Sequence, residues 1–156
     1  MFRIIECSVY SHPVLGDLEL RLSDTETTLT SVDSHSNHTT MIIGRNGTGK
    51  SQILLAIIEI FNYSISRWKK QRAKQLKYNF HIVYSLNTLE YSISYNMKKI
   101  KFSSPEAMVF PSRIIISAFC FNDKYPLSGS GIEDTNQVFR YLGLKSTTNS
   151  IFIKNP

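Results

Sequence analysis

Two spacings of apolar residues run along this chain, and each predicts its own kind of element. Residues 2–10 alternate loosely and are rich in β-formers, with Phe2, Ile4, Ile5, Val9 and Tyr10, which predicts a strand. "SHPVLGD" predicts a turn. "LELRL" at 18–22 then sets Leu18, Leu20 and Leu22 against Glu19 and Arg21, a half-buried strand that pairs with the first. Residues 23–40 are polar and irregular, as in a surface loop. Residues 40–43 form a short apolar run of the type found in a buried strand.

From Ser51 to Phe61 the chain is apolar nearly all round, which predicts a helix covered on several sides. The helix is expected to continue through Trp68 to about Lys77, where it becomes strongly basic. After Lys77 the period drops to two. Tyr78, Phe80, Ile82, Tyr84 and Leu86 share one face, and so do Leu89, Tyr91, Ile93 and Tyr95, opposite Glu90, Ser92 and Ser94. Asn87-Thr88 separates these runs, and Asn tolerates positive φ, so a tight hairpin is expected. "KKIKF" adds a third antiparallel strand. "RIIISAFCF" at 113–121 is a continuous β-run, expected to be buried on both faces. The remaining tail is turn-rich.

Composition bounds the class without changing this picture. With 156 residues, 42% hydrophobic and 19% charged, the chain can build one compact domain and is not of disordered type. No window approaches the ~18 apolar residues of a membrane span. The N-terminus lacks the order of a signal peptide. Cys7 and Cys120 form no metal-type spacing and read as reduced thiols of a cytoplasmic protein. His12, His35, His38 and His81 show no ligand spacing either.

The junction between strand and helix carries the chemistry. Gly44-Arg45-Asn46-Gly47-Thr48-Gly49-Lys50-Ser51 fits the Walker A pattern G-x-x-x-x-G-K-[ST]. Its four fixed positions arise by chance in roughly one chain of this length per hundred or fewer. A phosphate chain is wrapped by converging backbone N–H groups, which needs dihedrals that glycine adopts freely and no Cβ in the way. The loop empties into a helix N-terminus, whose unpaired N–H groups favour an anion. Lys50 is expected to reach the β- and γ-phosphates. The Ser51 hydroxyl is expected to ligate Mg²⁺.

"GRNGTGKSQILLAI" resembles the phosphate loop of ABC-type ATPase heads, in the branch of chromosome-structure, recombination and DNA-repair ATPases. Many bacterial anti-phage defence proteins labelled "AAA family ATPase" belong to that branch. Asn46 and the apolar helix after Lys50-Ser51 match its pattern. The resemblance extends to an opening hairpin (residues 2–22), antiparallel strands after the first helix (78–102) and a return to a buried strand (113–121). "PSRIIISAFCFNDKYP" followed by "YLGLK" is similar to the defence-type members. The resemblance implies an α/β P-loop NTPase fold over residues 1–156: the N-terminal lobe of an ABC-type head with an accessory antiparallel β-subdomain at 78–102. It implies binding of ATP with Mg²⁺ by Gly44, Arg45, Asn46, Gly47, Thr48, Gly49, Lys50 and Ser51, with Gln52 near the α-phosphate. A glutamine ahead of the arm region often senses the metal in such heads; Asn122 or Gln137 could occupy that neighbourhood, or be ordinary surface residues.

Half of such a head is missing from the sequence. No apolar run ends in Asp-Glu, and Glu133-Asp134 follows "GSGI" rather than a core strand. Leu127-Ser128-Gly129-Ser130-Gly131 is similar to the signature Leu-Ser-Gly-Gly-Gln, yet no Asp-Glu strand follows it, and it reads as a surface loop. Hydrolysis therefore requires a Walker B acid and signature loop from elsewhere. The chain is expected to be the N-terminal piece of a longer ATPase; a split head completed by a partner chain or second copy, or a minimal module, are the alternatives.

The net charge of +6 is unevenly placed. Residues 67–101 hold nine Lys/Arg against Glu90 alone, whereas the remainder is slightly acidic. Arg67, Lys69, Lys70, Arg72, Lys74 and Lys77 are candidates for DNA or RNA phosphate contact, with Trp68, Tyr78 and Tyr95 available for stacking. A solvated basic helix end is the other reading. A non-enzymatic basic nucleic-acid-binding β-module with a non-functional loop is thus the rival to ATP binding. A small kinase would need lid arginines, and Arg113 and Arg140 alone do not supply them.

Overall fold

The computed structural model describes residues 2–23, 39–87, 89–118 and 138–143. The chain divides into two compact units, Met1–Phe110 and Pro111–Pro156. The first is of α/β type, with a five-stranded antiparallel sheet and one helix. Its elements are β1 (Phe2–His12), β2 (Gly16–Arg21), α1 (Lys50–Trp68), β3 (Asn79–Leu86), β4 (Leu89–Asn96) and β5 (Lys99–Phe102). In the second, β6 (Ile114–Ala118) pairs in parallel with β7 (Phe139–Gly143).

Strand order in the large sheet is β2-β1-β3-β4-β5. The opening hairpin and the later antiparallel strands are therefore one sheet, joined where β1 pairs with β3 from Phe2↔Leu86 to Tyr10↔Asn79. Two-residue alternation makes one face of it. Ile5, Cys7, Val9, Phe80, Ile82, Tyr84, Tyr91, Ile93 and Tyr95 are all buried. Helix α1 covers that face: the Phe61 ring meets Tyr84 at 5.4 Å and Phe2 at 5.8 Å, and Tyr63 meets Tyr95 at 5.0 Å. Edge-on aromatic pairs of this kind add about 0.5–1.5 kcal/mol each beyond their buried area. The Tyr84 hydroxyl donates to the Val109 carbonyl at 2.8 Å, which satisfies its polar end inside the core. At the β3–β4 hairpin Asn87 has φ +52°, the left-handed conformation its side chain tolerates.

Three expectations are corrected. Residues 40–43 are not a strand, and Met41 and Ile43 are 75% and 83% exposed. A buried strand needs a neighbouring strand to pair with, and no described strand pairs with this run. Helix α1 ends at Trp68, not near Lys77. Lys70 takes φ +56°, the Gln71 N–H donates to the Ser66 carbonyl at 2.8 Å, and the Lys70 N–H donates to Arg67 at 3.1 Å. This is a Schellman stop built on a lysine where glycine is usual. Finally, β6 buries one face only: Ile116 is buried, while Ile115 is 54% exposed and Ser117 is exposed.

Candidate functional site

The loop ahead of α1 folds back on itself through its own polar groups. The Arg45 carbonyl accepts from the Thr48 hydroxyl at 2.9 Å and, more weakly, from the Thr48 N–H at 3.4 Å. The Lys50 ammonium crosses the curl and donates to the Gly44 and Arg45 carbonyls at 2.7 and 2.6 Å. Gly47 and Gly49 sit at φ +86° and +91°, where a side chain is strained. Gly44 is constrained by space instead, since a Cβ there would lie 3.0 Å from the Thr48 hydroxyl.

The curl opens into the start of α1. Gly49 is the N-cap and makes no side-chain cap hydrogen bond, and its carbonyl accepts the first helical bond from Ile53 at 2.9 Å. Helix geometry leaves the first N–H groups without an intrahelical acceptor. The first turn contains no acidic residue, so the positive end of the helix dipole is not neutralised locally. Gly44, Arg45, Asn46, Gly47, Thr48 and Ser51 are exposed; Gly49, Lys50 and Gln52 are half-buried. All nine residues expected from the sequence thus share one solvent-facing loop and helix start. The loop can accept an anion.

Sequence reasoning missed the support beneath this loop. A Cβ on Gly49 would stand 3.0 Å from Leu15 Cδ2, which places the β1–β2 turn against the loop's last glycine. That turn is held by His12, whose Nδ1 accepts the Val14 and Leu15 N–H groups at 3.2 and 3.1 Å. The imidazole lies 4.5 Å from the Tyr78 ring, and the Tyr78 hydroxyl donates to Glu59 on α1 at 3.0 Å. Burial lowers the His12 pKa below its ordinary value, against a smaller opposing effect from Glu59. Only the turn signal in "SHPVLGD" hinted at any of this.

No protein-family model, curated protein or solved structure matches the chain. The site has to be judged on its own geometry.

On that geometry, the residues present suit a phosphate chain. The uncapped helix start and the two positive-φ glycines supply amides and room, and Ser51 presents a hydroxyl at the same place. No group of three or more His, Cys, Asp or Glu that could hold a metal occurs among the described residues. A cation at Ser51 would therefore take its other oxygens from phosphate and water. Asn122, Gln137, Glu133-Asp134, Leu127–Gly131, Cys120, His35 and His38 lie outside the described residues.

The basic residues in the last turn of α1 and after it are exposed: Arg67, Lys69, Lys70, Arg72, Lys74 and Lys77. Of the aromatic residues proposed to stack beside them, the two tyrosines are not available. Tyr78 and Tyr95 are 3% and 5% exposed, and Trp68 packs edge-on against Phe102 at 5.4 Å. The two tyrosines belong to the core because their side chains fall on the covered face of the sheet, whereas Trp68 is half-buried at the helix end. No described helix is long and apolar enough to cross a membrane.

Proposed function

We propose that this chain binds the triphosphate of ATP, with Mg²⁺, in the loop Gly44–Ser51, as the ATP-binding part of an ABC-type P-loop ATPase head. The observation that carries the reading is the uncapped, acid-free start of α1 behind a curl containing two positive-φ glycines. The loop amides and the first N–H groups of α1 wrap the phosphates. Lys50 turns from its own carbonyls to the β- and γ-phosphates, and Gln52 stands on the first turn of α1. The Ser51 hydroxyl holds the metal, which neutralises phosphate charge when bound.

Binding is the share of the reaction these residues provide. A water-activating acid and a second set of γ-phosphate contacts would come from elsewhere: a further portion of a longer ATPase, a partner chain or a second copy. With ATP as ligand the chain works in the cytoplasm, and the branch it resembles points to nucleic-acid metabolism or anti-phage defence.

Lys50→Ala tests the reading directly. Titration with a fluorescent ATP analogue, with and without Mg²⁺, should show at least tenfold weaker binding by the variant at an unchanged melting temperature. Equal binding by wild type and variant removes the assignment.

A further inference from the structure

The basic segment does not stand alone. After the Schellman stop it runs back without regular structure, and the Gln75 side-chain amide donates to the Met97 carbonyl at 3.1 Å. That bond ties it to the β4–β5 turn, where Lys98 and Lys99 are exposed, with Lys101 exposed just beyond on the edge strand β5. Two stretches of chain, some twenty residues apart in sequence, thus present nine cations from one end of the sheet. The single acid of the region, Glu90, pairs with Ser85 near the opposite end of β4. At ~3.4 Å per residue it lies about 20 Å from Asn96.

We propose that this composite surface, residues 67–77 together with the β4–β5 turn, binds nucleic acid through its phosphate backbone, duplex at least as well as single strand. Charge complementarity identifies the partner: a dense row of phosphates matches nine exposed cations. The burial of Tyr78 and Tyr95, with the half-buried Trp68 ring packed against Phe102 and Phe110, decides the mode. With both tyrosines buried and the Trp68 ring engaged by phenylalanines, single strands gain little stacking over duplex, which carries the higher charge density. The surface begins where α1 ends, and α1 has 19 residues, so it lies about 28 Å along the helix from Lys50. Binding here is independent of the phosphate loop.

The test is fluorescence anisotropy of the full chain with a labelled 20-base-pair duplex and a 20-nucleotide single strand, from 50 to 200 mM salt. Duplex binding should weaken steeply with salt, with a log–log slope of about −0.9 per phosphate contacted. Lys98→Gln/Lys99→Gln/Lys101→Gln should weaken it at least tenfold and flatten the slope by one or more, at an unchanged melting temperature. Lys69→Gln/Lys70→Gln/Arg72→Gln should do the same, while Lys50→Ala should leave duplex binding intact. No duplex binding at 50 mM salt, binding unaffected by the turn triple variant, or a clear preference for single strand overturns the proposal. So does binding to anionic phosphatidylserine vesicles with none to duplex. Loss of nucleotide binding in Lys50→Ala bears only on the ATP reading.

Discussion

At the scale of single residues, two glycines with nearly the same backbone conformation differ in what surrounds them. Gly47 at φ +86° has open space where a Cβ would go, whereas Gly49 at φ +91° faces Leu15 at 3.0 Å. Gly47→Ala should lose only the left-handed backbone penalty, about 1–2 kcal/mol. Gly49→Ala adds a contact with the hairpin turn and should lose more, about 2–4 kcal/mol in all. Denaturant midpoints of the two variants measured side by side check this, and equal losses would mean that the Leu15 contact carries no weight. Gly49 was legible as a motif position because G-x-x-x-x-G-K-[ST] fixes its spacing, whereas Gly47 falls at one of the pattern's variable positions. Leu15 was not legible, because nothing in a sequence reports which distant turn will lie under a loop.

At the scale of elements, the β1–β2 hairpin depends on one neutral imidazole. His12 Nδ1 accepts two backbone N–H groups, and a proton there abolishes the acceptor. Its folded pKa is depressed by burial. The unfolded chain therefore takes up the proton first, near the ordinary value of about 6.5. The stability His12 contributes is complete above that pH and is lost as pH falls toward the folded pKa. Wild type should lose denaturant resistance between pH 7.5 and 5 by more than His12→Gln does, and parallel profiles would show that the imidazole does not matter. Glu59 and the Tyr78 hydroxyl, the other titratable groups beside it, are common to both proteins. The strands themselves were legible where a two-residue alternation met a hairpin, as in β3 and β4. The end of α1 was not. Lysine, glutamine and alanine at 69–77 are good helix formers, and the stop is made by Lys70 in a conformation that sequence assigns to glycine. The expected strand at 40–43 failed for a related reason: an apolar run predicts burial, but only a neighbouring strand makes it β.

At the scale of the whole molecule, joining of β1 to β3 matters most. It merges the opening hairpin with the later strands, so the glycine-rich loop Gly44–Ser51, the basic surface and the aromatic core all belong to Met1–Phe110. Such a length can bury a core of its own. Residues 1–110 expressed alone should melt in one cooperative transition and keep both nucleotide and duplex binding. A fragment with helical circular dichroism but no cooperative melt would show that the core needs Pro111–Pro156. This pairing could not be read from periodicity, because alternation specifies which face a residue takes and leaves open which strand lies alongside. The same holds for the parallel pair β6 and β7, whose partners are about 25 residues apart in sequence.

The Lys50 ammonium sets a threshold for whatever approaches the head of α1. It grips two carbonyls of its own loop, and only a visitor offering more than two neutral oxygens will draw it away. Chloride brings no oxygen at all, whereas a polyphosphate would offer several charged ones at once. The loop's resting bonds would by themselves favour the more highly charged of two visiting anions.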